Sequence, residues 1–272
     1  MKTNTVNLGP PPPSVNPPPL ITLTTDFGLA DPYVGVMKGV ILSRCPSARL
    51  VDLTHHVPPQ DVLVARLALE DAHPFFPAGT LHVAVVDPGV GTARAVLWAR
   101  TAAARFLAPD NGLLSFLEPA QILELRRVEN PALTLHPVSR TFHGRDVFAP
   151  VAGYLAGGLD AADLGPVTGE LLRLPLPRPV AAAGHLHGEI LAFDHFGNAL
   201  TNLRELDLPR TACKVRVAGA TLPLVGTYAE VPPGAPLALL GSSGRLEISV
   251  RGGNARQVLA LQRGDPVEFR IS

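Results

Sequence analysis

The chain alternates between two hydrophobic periods from residue 20 onward. Short apolar runs rich in β-branched residues predict strands, whereas apolar side chains three and four positions apart predict helices. The first five elements are a strand at residues 21–24, a helix at 33–43, a strand at 49–53, a helix at 62–72 and a strand at 80–86. Pro32 and Asp61 stand where the two helices are expected to begin. This βαβαβ order predicts a parallel sheet covered by helices, with right-handed crossovers.

The pattern changes twice in the rest of the chain. Residues 95–99 and 106–108 predict further strands, and residues 147–155 predict a helix. Residues 158–184 are rich in Gly, Pro, Ala and Leu without clear periodicity, and a domain boundary is expected there. After His187, Gly-rich turns separate short strands at residues 189–193, 214–217, 237–240, 246–250 and 267–271.

We therefore expect an α/β fold in two domains. Residues 20–180 are expected to form an N-terminal α/β domain with a mainly parallel sheet flanked by helices. Residues 185–272 are expected to form a smaller, β-barrel-like C-terminal domain. Residues 1–19 form a proline-rich leader without apolar periodicity, which predicts an extended or disordered tail.

Composition narrows the choice of partners. The 272 residues are 46% hydrophobic and 17% charged, with 23 basic and 23 acidic side chains. A formal net charge of zero gives no reason to expect a nucleic acid or an anionic membrane as partner, so a small ligand is favoured. No signal-peptide pattern and no apolar run of membrane-spanning length occurs, which predicts a cytoplasmic protein. Cys45 and Cys213 lie far apart in the chain and are expected to be buried free thiols.

Residues 85–94 hold the first candidate chemistry. An apolar run ends at Asp87, and Pro88 and Gly89 break the regular structure before Arg94 follows. A carboxylate is thereby placed at the carboxyl end of a strand, the edge at which open α/β sheets bind ligands. A structural Asp-Pro turn with a surface arginine explains this stretch alone equally well.

Three further polar clusters lie at turn positions, where side chains can point at a ligand, at residues 24–28, 142–146 and 194–202. Asp26 can accept hydrogen bonds from ribose hydroxyls, or it can cap the helix that follows. His143 stands beside Arg145 and Asp146 at a helix start, where it suits either catalysis or a structural hydrogen bond.

Aromatic and amide side chains in the C-terminal third suit a nucleoside or an amino-acid head group. Phe196 and Tyr228 can stack on a base, although core packing is nearly as good an explanation for each. Asn198 and the turn at residues 242–244 offer donors and acceptors. The histidines lack the spacing of metal ligands, so no metal is expected.

The polar clusters occur in an order that resembles a known family. The motifs are Thr-Thr-Asp-Phe-Gly (24–28), Asp-Pro-Gly-Val-Gly-Thr-x-Arg (87–94), Pro-Asp-Asn-Gly (109–112), Phe-His-Gly-Arg-Asp (142–146), Asp-His-Phe-Gly-Asn-x-x-Thr-Asn (194–202) and Gly-Ser-Ser-Gly-x-Leu-Glu-Ile (241–248). Together they resemble the S-adenosyl-L-methionine (SAM) hydroxide adenosyltransferases, or adenosine-forming SAM hydrolases, which are related to the SAM-dependent fluorinase and chlorinase. The resemblance runs from about residue 20 to the C-terminus.

The resemblance implies a two-domain hydrolase. Activated water or hydroxide is expected to attack the ribose C5′ of SAM and release adenosine and L-methionine, with no cofactor. The family also implies a homotrimer with active sites between neighbouring subunits. Its catalytic set corresponds to Asp87, Arg94 and His143, and whether Asp87 or His143 is the base stays open.

The resemblance also implies a set of substrate-binding residues. Asp26 is expected to hold the ribose, Phe196 and Tyr228 to flank the adenine and Asn198 to meet its edge, while Asp194, Ser242 and Ser243 face the methionine part. Phe27 and Glu247 complete the set.

Two alternatives to hydrolysis are open. The halogenases carry a tyrosine where this chain has Asp87, an aromatic-serine pair in place of His143 and Gly144, and a tryptophan in place of Gln60, which disfavours halogenation. A non-catalytic SAM or adenosine sensor is the second alternative, although a sensor has no need to keep Asp87, Arg94 and His143 together.

Overall fold

A computed structural model describes residues 17–182, 184–208 and 214–270, with the backbone alone at Arg270. The chain divides into two compact units, Met1–Leu174 and Pro175–Ser272. The expectations for residues 1–16, Cys213 and Ile271 lie outside the described residues. No helix in the described part of the chain is both long and apolar enough to cross a membrane.

The first unit contains six strands, three α-helices and one π-helical turn among its described residues. They are β1 (Leu20–Thr25), α1 (Tyr33–Arg44), β2 (Arg49–Thr54), α2 (Val62–Ala72), β3 (Thr80–Val85), β4 (Val96–Arg100), β5 (Ala104–Pro109), β6 (Glu124–Arg127), the π-helical turn Gly144–Phe148 and α3 (Ala149–Ala156). Short 3-10 turns at His73–Phe75, Pro119–Gln121, Pro131–Leu133 and Ala161–Leu164 complete the unit.

The six strands form one mixed sheet in the order β2-β1-β3-β5-β4-β6. The pairs β1–β2, β1–β3 and β3–β5 are parallel, whereas β4 runs antiparallel to β5 and to β6. Alternate residues of the central strand β3 face opposite sides, so Val83 packs with α1 and α3 while Ala84 packs with α2. The first unit is therefore a sheet between two helical layers, as the sequence predicts.

Strands β1 and β3 are parallel neighbours, with Thr25 opposite Val85 at their carboxyl ends. From β1 the chain crosses to β2 on one side, and from β3 it continues toward β4 and β5 on the other side. Such a reversal leaves a crevice outside the strand ends, where ligands bind in open α/β sheets. Asp26 directly follows the end of β1, and Asp87 lies two residues beyond the end of β3.

The second unit is a strongly curved antiparallel sheet. Its elements are β7 (Val180–Ala182), β8 (His185–Phe193), β9 (Ala199–Arg204), β10 (Lys214–Val217), β11 (Ala220–Pro223), β12 (Pro236–Leu240), β13 (Arg245–Val250), α4 (Ala255–Val258) and β14 (Pro266–Arg270), with 3-10 turns at Glu205–Asp207 and Tyr228–Glu230. The strand order is β11-β10-β14-β8-β9-β13-β12, and β7 pairs with β8. A bridge between Leu224 and Ala238 brings the two ends of this path together. The expected barrel-like domain is confirmed.

Several local features differ from the sequence expectation. The helix expected over residues 147–155 begins earlier, because a π-helical turn at Gly144–Phe148 precedes α3. Strand β9 was not expected, because the polar Thr201 and Asn202 disguise a run whose side chains are buried. Cys45 is buried at the C-terminal cap of α1, as predicted.

Candidate active site

A cavity of about 230 Å³ opens at the carboxyl edge of the first unit's sheet. Its lining combines strand ends, the segment before α2 and the segment that leads into the π-helical turn. The lining residues are Asp26, Phe27, Pro59, Gln60, Val85, Asp87, Val90, Thr141, Phe142, His143 and Gly144. Four residues of the predicted site therefore share one cavity, and three of them, Asp26, Asp87 and His143, have polar side chains.

Asp87 and Arg94 form a two-pronged ion pair. The Nε atom of Arg94 donates to both carboxylate oxygens of Asp87, at 2.9 and 3.0 Å, and its Nη2 atom also donates to Oδ2. Both side chains are largely buried, with exposed fractions of 10% for Arg94 and 5% for Asp87. Because the fork of the guanidinium matches the carboxylate, this pair fixes the orientation of both groups.

Arg94 also determines which nitrogen of His143 carries the proton. Its Nη2 atom lies 2.8 Å from Nδ1 of His143. A guanidinium is a donor only and stays protonated, so Nδ1 must accept this hydrogen bond. In neutral His143 the proton is therefore on Nε2, and the ring presents a donor at that position.

The surroundings of His143 favour its neutral form. Burial lowers the pKa of His143, and repulsion from Arg94 lowers it further. The carboxylates of Asp87 and Asp146 act in the opposite direction and do not reverse the shift. At neutral pH the imidazole is thus uncharged and carries its proton on Nε2.

A close backbone approach brings the loop at residues 87–94 to the segment at residues 139–143. Gly91 has φ 77°, and a Cβ atom there would overlap the carbonyl group of Arg140. The segment at residues 139–143 is also held to the π-helical turn, because the buried carboxylate of Asp146 accepts the N–H of Ser139 at 2.8 Å. These contacts explain how Arg94 and His143, which are distant in sequence, meet in the fold.

Gly144 leaves room beside His143 in the cavity wall. A Cβ atom at residue 144 would lie 3.1 Å from Sδ of Met37 and 3.2 Å from the rings of Phe27 and Phe142. Phe27 and Phe142 pack edge to face at 5.9 Å, and Tyr33 joins them. The cavity thus has an aromatic wall against which a side chain at residue 144 would press.

Asp26 does not cap α1, whose N-cap residue is Pro32 and which has no side-chain cap. Its carboxylate instead accepts the backbone N–H of Gln60 at 2.8 Å and lines the cavity. Gln60 itself has φ 65°, an unfavourable value for a residue with a side chain. Such strain clusters at functional positions, and nothing in the sequence marks it, because Gly and Asn are the residues usual there.

The second unit holds the remaining predicted residues in two groups. In the first, one oxygen of Asp194 accepts the N–H groups of Phe196 and Asn198 at 2.9 and 2.8 Å. The other oxygen accepts the side-chain amide of Asn198 at 2.8 Å. This turn presents the ring of Phe196 outward with 71% of its surface exposed, so core packing does not explain that aromatic residue.

The second group is centred on Glu247. Its Oε1 atom accepts from the hydroxyl of Tyr228 at 2.6 Å and from that of Ser249 at 2.7 Å. Burial, together with this hydrogen bond and the charge of Glu247, raises the pKa of Tyr228 to about 12. Tyr228 begins the 3-10 turn Tyr228–Glu230. Ser242 and Ser243 lie in the tight turn between β12 and β13.

Comparison with known proteins identifies the family. A model of the SAM hydroxide adenosyltransferase N-terminal domain matches residues 21–165, and a model of the C-terminal domain matches residues 188–268. The chain belongs to the SAM hydroxide adenosyltransferase family. Its two matched regions lie on either side of the division between the two compact units.

Individual relatives agree with this assignment. A protein of Thermus thermophilus named (R)-S-adenosyl-L-methionine hydrolase is 46% identical over 90% of this chain and 97% of its own length. A fluorinase of an Actinoplanes species is 30% identical over 85% of this chain and 90% of its own length. A crystal structure of an uncharacterized conserved protein from Thermotoga maritima has a TM-score of 0.85 and 37% identity, covering 92% of this chain and 99% of that chain.

Proposed function

We propose that this SAM hydroxide adenosyltransferase family member hydrolyses SAM to adenosine and L-methionine. One observation carries the proposal: two cavity-lining groups of opposite hydrogen-bonding character, Asp87 and His143, are fixed by the same guanidinium. Asp87 can only accept a hydrogen bond, and neutral His143 offers an N–H at Nε2. A water molecule held by both is oriented by one and polarised by the other.

Hydrolysis uses these two groups in different ways. The water donates one proton to Asp87 and accepts a hydrogen bond from His143, which directs its free lone pair at C5′ of the ribose. As the new C5′–O bond forms, the C5′–S bond breaks, and its electron pair leaves with the sulfur of neutral methionine. The surplus proton passes from the water to Asp87 and then to solvent. Asp87 is therefore the acceptor, and the base role of His143 is disfavoured.

Arg94 acts as a positioning residue in this proposal. Its side chain is not among the cavity-lining groups described, yet it contacts both residues that are. The guanidinium orients the carboxylate of Asp87 and holds His143 in the tautomer that donates from Nε2. The positive charge of the sulfonium and the negative charge of Asp87 both disappear as the reaction proceeds, so a largely buried site with fixed dipoles favours the transition state.

The size and wall of the cavity suit the reacting part of the substrate. Its volume of about 230 Å³ is below that of sites enclosing a whole drug-sized ligand, so it takes the ribose and the attacking water. Asp26 lines the same cavity and is the group we assign to the ribose hydroxyls. We assign the adenine and methionine contacts to the second-unit residues, in a homotrimer as the family resemblance implies, which mass photometry tests.

Halogenation is disfavoured by the same geometry. A halide ion has no proton to donate, so it gains nothing from the acceptor Asp87 and is repelled by its charge. Water uses both the acceptor and the donor. The likeness to a fluorinase is also weaker than the likeness to the Thermus thermophilus hydrolase.

Incubation with SAM in ¹⁸O-labelled water tests the proposal, with chloride or fluoride present in parallel samples. We expect labelled adenosine and unlabelled L-methionine, because water oxygen becomes the 5′-hydroxyl group. A 5′-halogenated adenosine would show halogenation. Binding of SAM without any product would instead identify a sensor.

A further inference from the structure

The segment at residues 55–60 holds the turn at residues 25–28 through three hydrogen bonds. Nδ1 of His55 lies 2.8 Å from the hydroxyl of Thr25, and the carbonyl of His55 accepts the N–H of Gly28 at 2.8 Å. The third is the N–H of Gln60, which donates to Asp26. His55 thus contacts both ends of a turn that contains the cavity-lining Asp26.

The imidazole of His55 lies between Thr25 and Asp52. Its Nε2 atom lies 3.0 Å from Oδ1 of Asp52, and its Nδ1 atom shares a hydrogen bond with the hydroxyl of Thr25. The oxygen of Thr25 in turn accepts the N–H of Phe27 at 3.3 Å. Asp52 is itself held by Lys38 at 2.7 Å.

Burial excludes a direct chemical role for this arrangement. His55 is 2% exposed and Thr25 is fully buried, and neither lines the cavity. Thr25, His55 and Asp52 lie side by side in space, as a nucleophile, its base and a carboxylate do in a catalytic triad. No substrate atom, however, can reach the hydroxyl of Thr25. The contacts of His55 can therefore affect a ligand only through the turn that they hold.

We propose that His55 is a positioning residue that aims Asp26 at the ribose. The proposal rests on the proposed function, in which Asp26 binds the ribose hydroxyls. The contacts at Thr25 and Gly28 fix the backbone on both sides of Asp26. Its carboxylate therefore does not have to be ordered when substrate binds. Loss of these contacts weakens substrate binding more than it slows the chemical step at Asp87 and His143.

The chain supplies a matched control for this proposal. Thr22 lies on the same strand as Thr25, is equally buried, and pairs with Nδ1 of His82 at the same distance of 2.8 Å. Thr22 is far along β1 from Asp26. Thr25→Val and Thr22→Val therefore remove the same hydroxyl–imidazole contact from the same strand, and the first alone touches the turn at residues 25–28.

The experiment measures KM and kcat for SAM and the Kd for adenosine, with Tm as a check on folding. We expect Thr25→Val to raise KM and the adenosine Kd by about tenfold and to change kcat by less than about threefold. Thr25→Ser keeps the hydroxyl and should restore values near those of the wild type. Thr22→Val should lower Tm by about as much as Thr25→Val does, but it should leave KM and the adenosine Kd unchanged.

A double-mutant cycle ties the effect to His55 itself. The KM of the double variant Thr25→Val/His55→Ala should lie within about threefold of the KM of His55→Ala, because both changes break the same contact. Unchanged KM and adenosine Kd in Thr25→Val, or an equal rise in Thr22→Val, overturns the positioning role. A wild-type protein that binds adenosine without hydrolysing SAM overturns the proposed function alone, and the contrast in adenosine Kd still decides the role of His55.

Discussion

Gly91 packs against the backbone carbonyl of Arg140 so closely that no side chain fits between them. Gly91 also has φ 77°, in the left-handed region that favours glycine. This contact joins the loop that carries Arg94 to the segment that carries His143. The geometry of the site thus depends on a residue that has no side chain.

Replacement of Gly91 by alanine should therefore damage catalysis as well as stability. The added Cβ atom must push the loop at residues 87–94 away from Arg140, which separates Arg94 from His143. We expect turnover to fall at least about a hundredfold and the free energy of unfolding to fall by about 1–3 kcal/mol. Steady-state kinetics and urea unfolding measure the two effects.

Gly79→Ala is the matched control for Gly91→Ala. Gly79 has φ 80°, yet nothing lies within 4 Å of a Cβ atom built there. This variant should lose about 1 kcal/mol through backbone strain and keep its turnover. Equal kinetic damage in both variants would show that the contact with Arg140 has no special importance.

Asp87→Ala should abolish adenosine release while SAM still binds. The change removes the acceptor for the proton of water and frees Arg94 to turn, but it removes no group assigned to the adenosyl part. We expect turnover to fall at least about a hundredfold, with the Kd for SAM within about threefold of the wild-type value. Calorimetry and product chromatography supply the two readings, and unimpaired turnover would refute the role of Asp87.

Protonation of His143 should make kcat/KM fall at acid pH. The profile should show no requirement for His143 as a base at neutral pH. Its pKa lies below the ordinary 6.5, so kcat/KM should be insensitive to its titration at neutral pH and fall at lower pH, as Nδ1 gains a proton and loses the contact with Arg94. His143→Gln keeps a donor near the position of Nε2 and cannot titrate. It should retain more activity than His143→Ala and lose the acid limb, whereas equal inactivity of the two variants would restore His143 as the base.

Gln60→Gly should separate stability from activity. Glycine adopts φ 65° without strain, so the free energy of unfolding should rise by up to about 1 kcal/mol. The same change removes a side chain from the cavity wall and loosens the N–H contact to Asp26, so KM should rise. Ala218→Gly relieves a comparable strain at φ 47° outside the cavity, and it should stabilise the protein without changing KM.

His82 should set part of the acid sensitivity of the fold. Burial, with repulsion from His73, lowers the pKa of His82 to about 3, compared with 6.5 for the free side chain. Between these values the unfolded chain binds more protons than the folded one, so the free energy of unfolding increases with pH. The contribution of His82 is complete above about pH 6.5 and declines below it by at most about 1.4 kcal/mol per pH unit.

The variant Thr22→Val combined with His82→Leu tests this acid sensitivity. It removes the buried imidazole and its hydroxyl partner together, so no polar group is left unpaired at that site. The free energy of unfolding should then vary less steeply between about pH 4 and 6 than in the wild type. His56→Asn, which removes a histidine from an exposed position, is the control variant.

Elements with strong periodicity were predictable from sequence. The expected helix at residues 62–72 coincides with α2, because its apolar stripe is regular and Asp61 caps it by accepting the N–H of Val64. Strand β9 was missed, because Thr201 and Asn202 occupy buried positions and bond to the carbonyl of Leu246 and the N–H of Glu189 instead of solvent. Buried polar residues defeat a pattern that equates polarity with exposure.

The sequence indicates which residues come together at the candidate site better than it indicates how they are arranged. Strand-end positions and the family resemblance indicated Asp87, Arg94 and His143, which the structure brings into contact. The proton position on His143 depends on one hydrogen bond between residues that are 49 positions apart, and periodicity carries no such information. The polar contact of His55 with Thr25 has no sequence signal for a related reason, because it joins residues that are 30 positions apart.

The π-helical turn Gly144–Phe148 makes the site sensitive to chain length as well as to side-chain identity. It inserts an additional residue into the turn that joins His143 to α3. Removal of one residue would restore ordinary helical winding and rotate His143 by about 100° relative to α3. Asp87, Arg94 and His143 would then all still be present, but the imidazole would face away from Arg94.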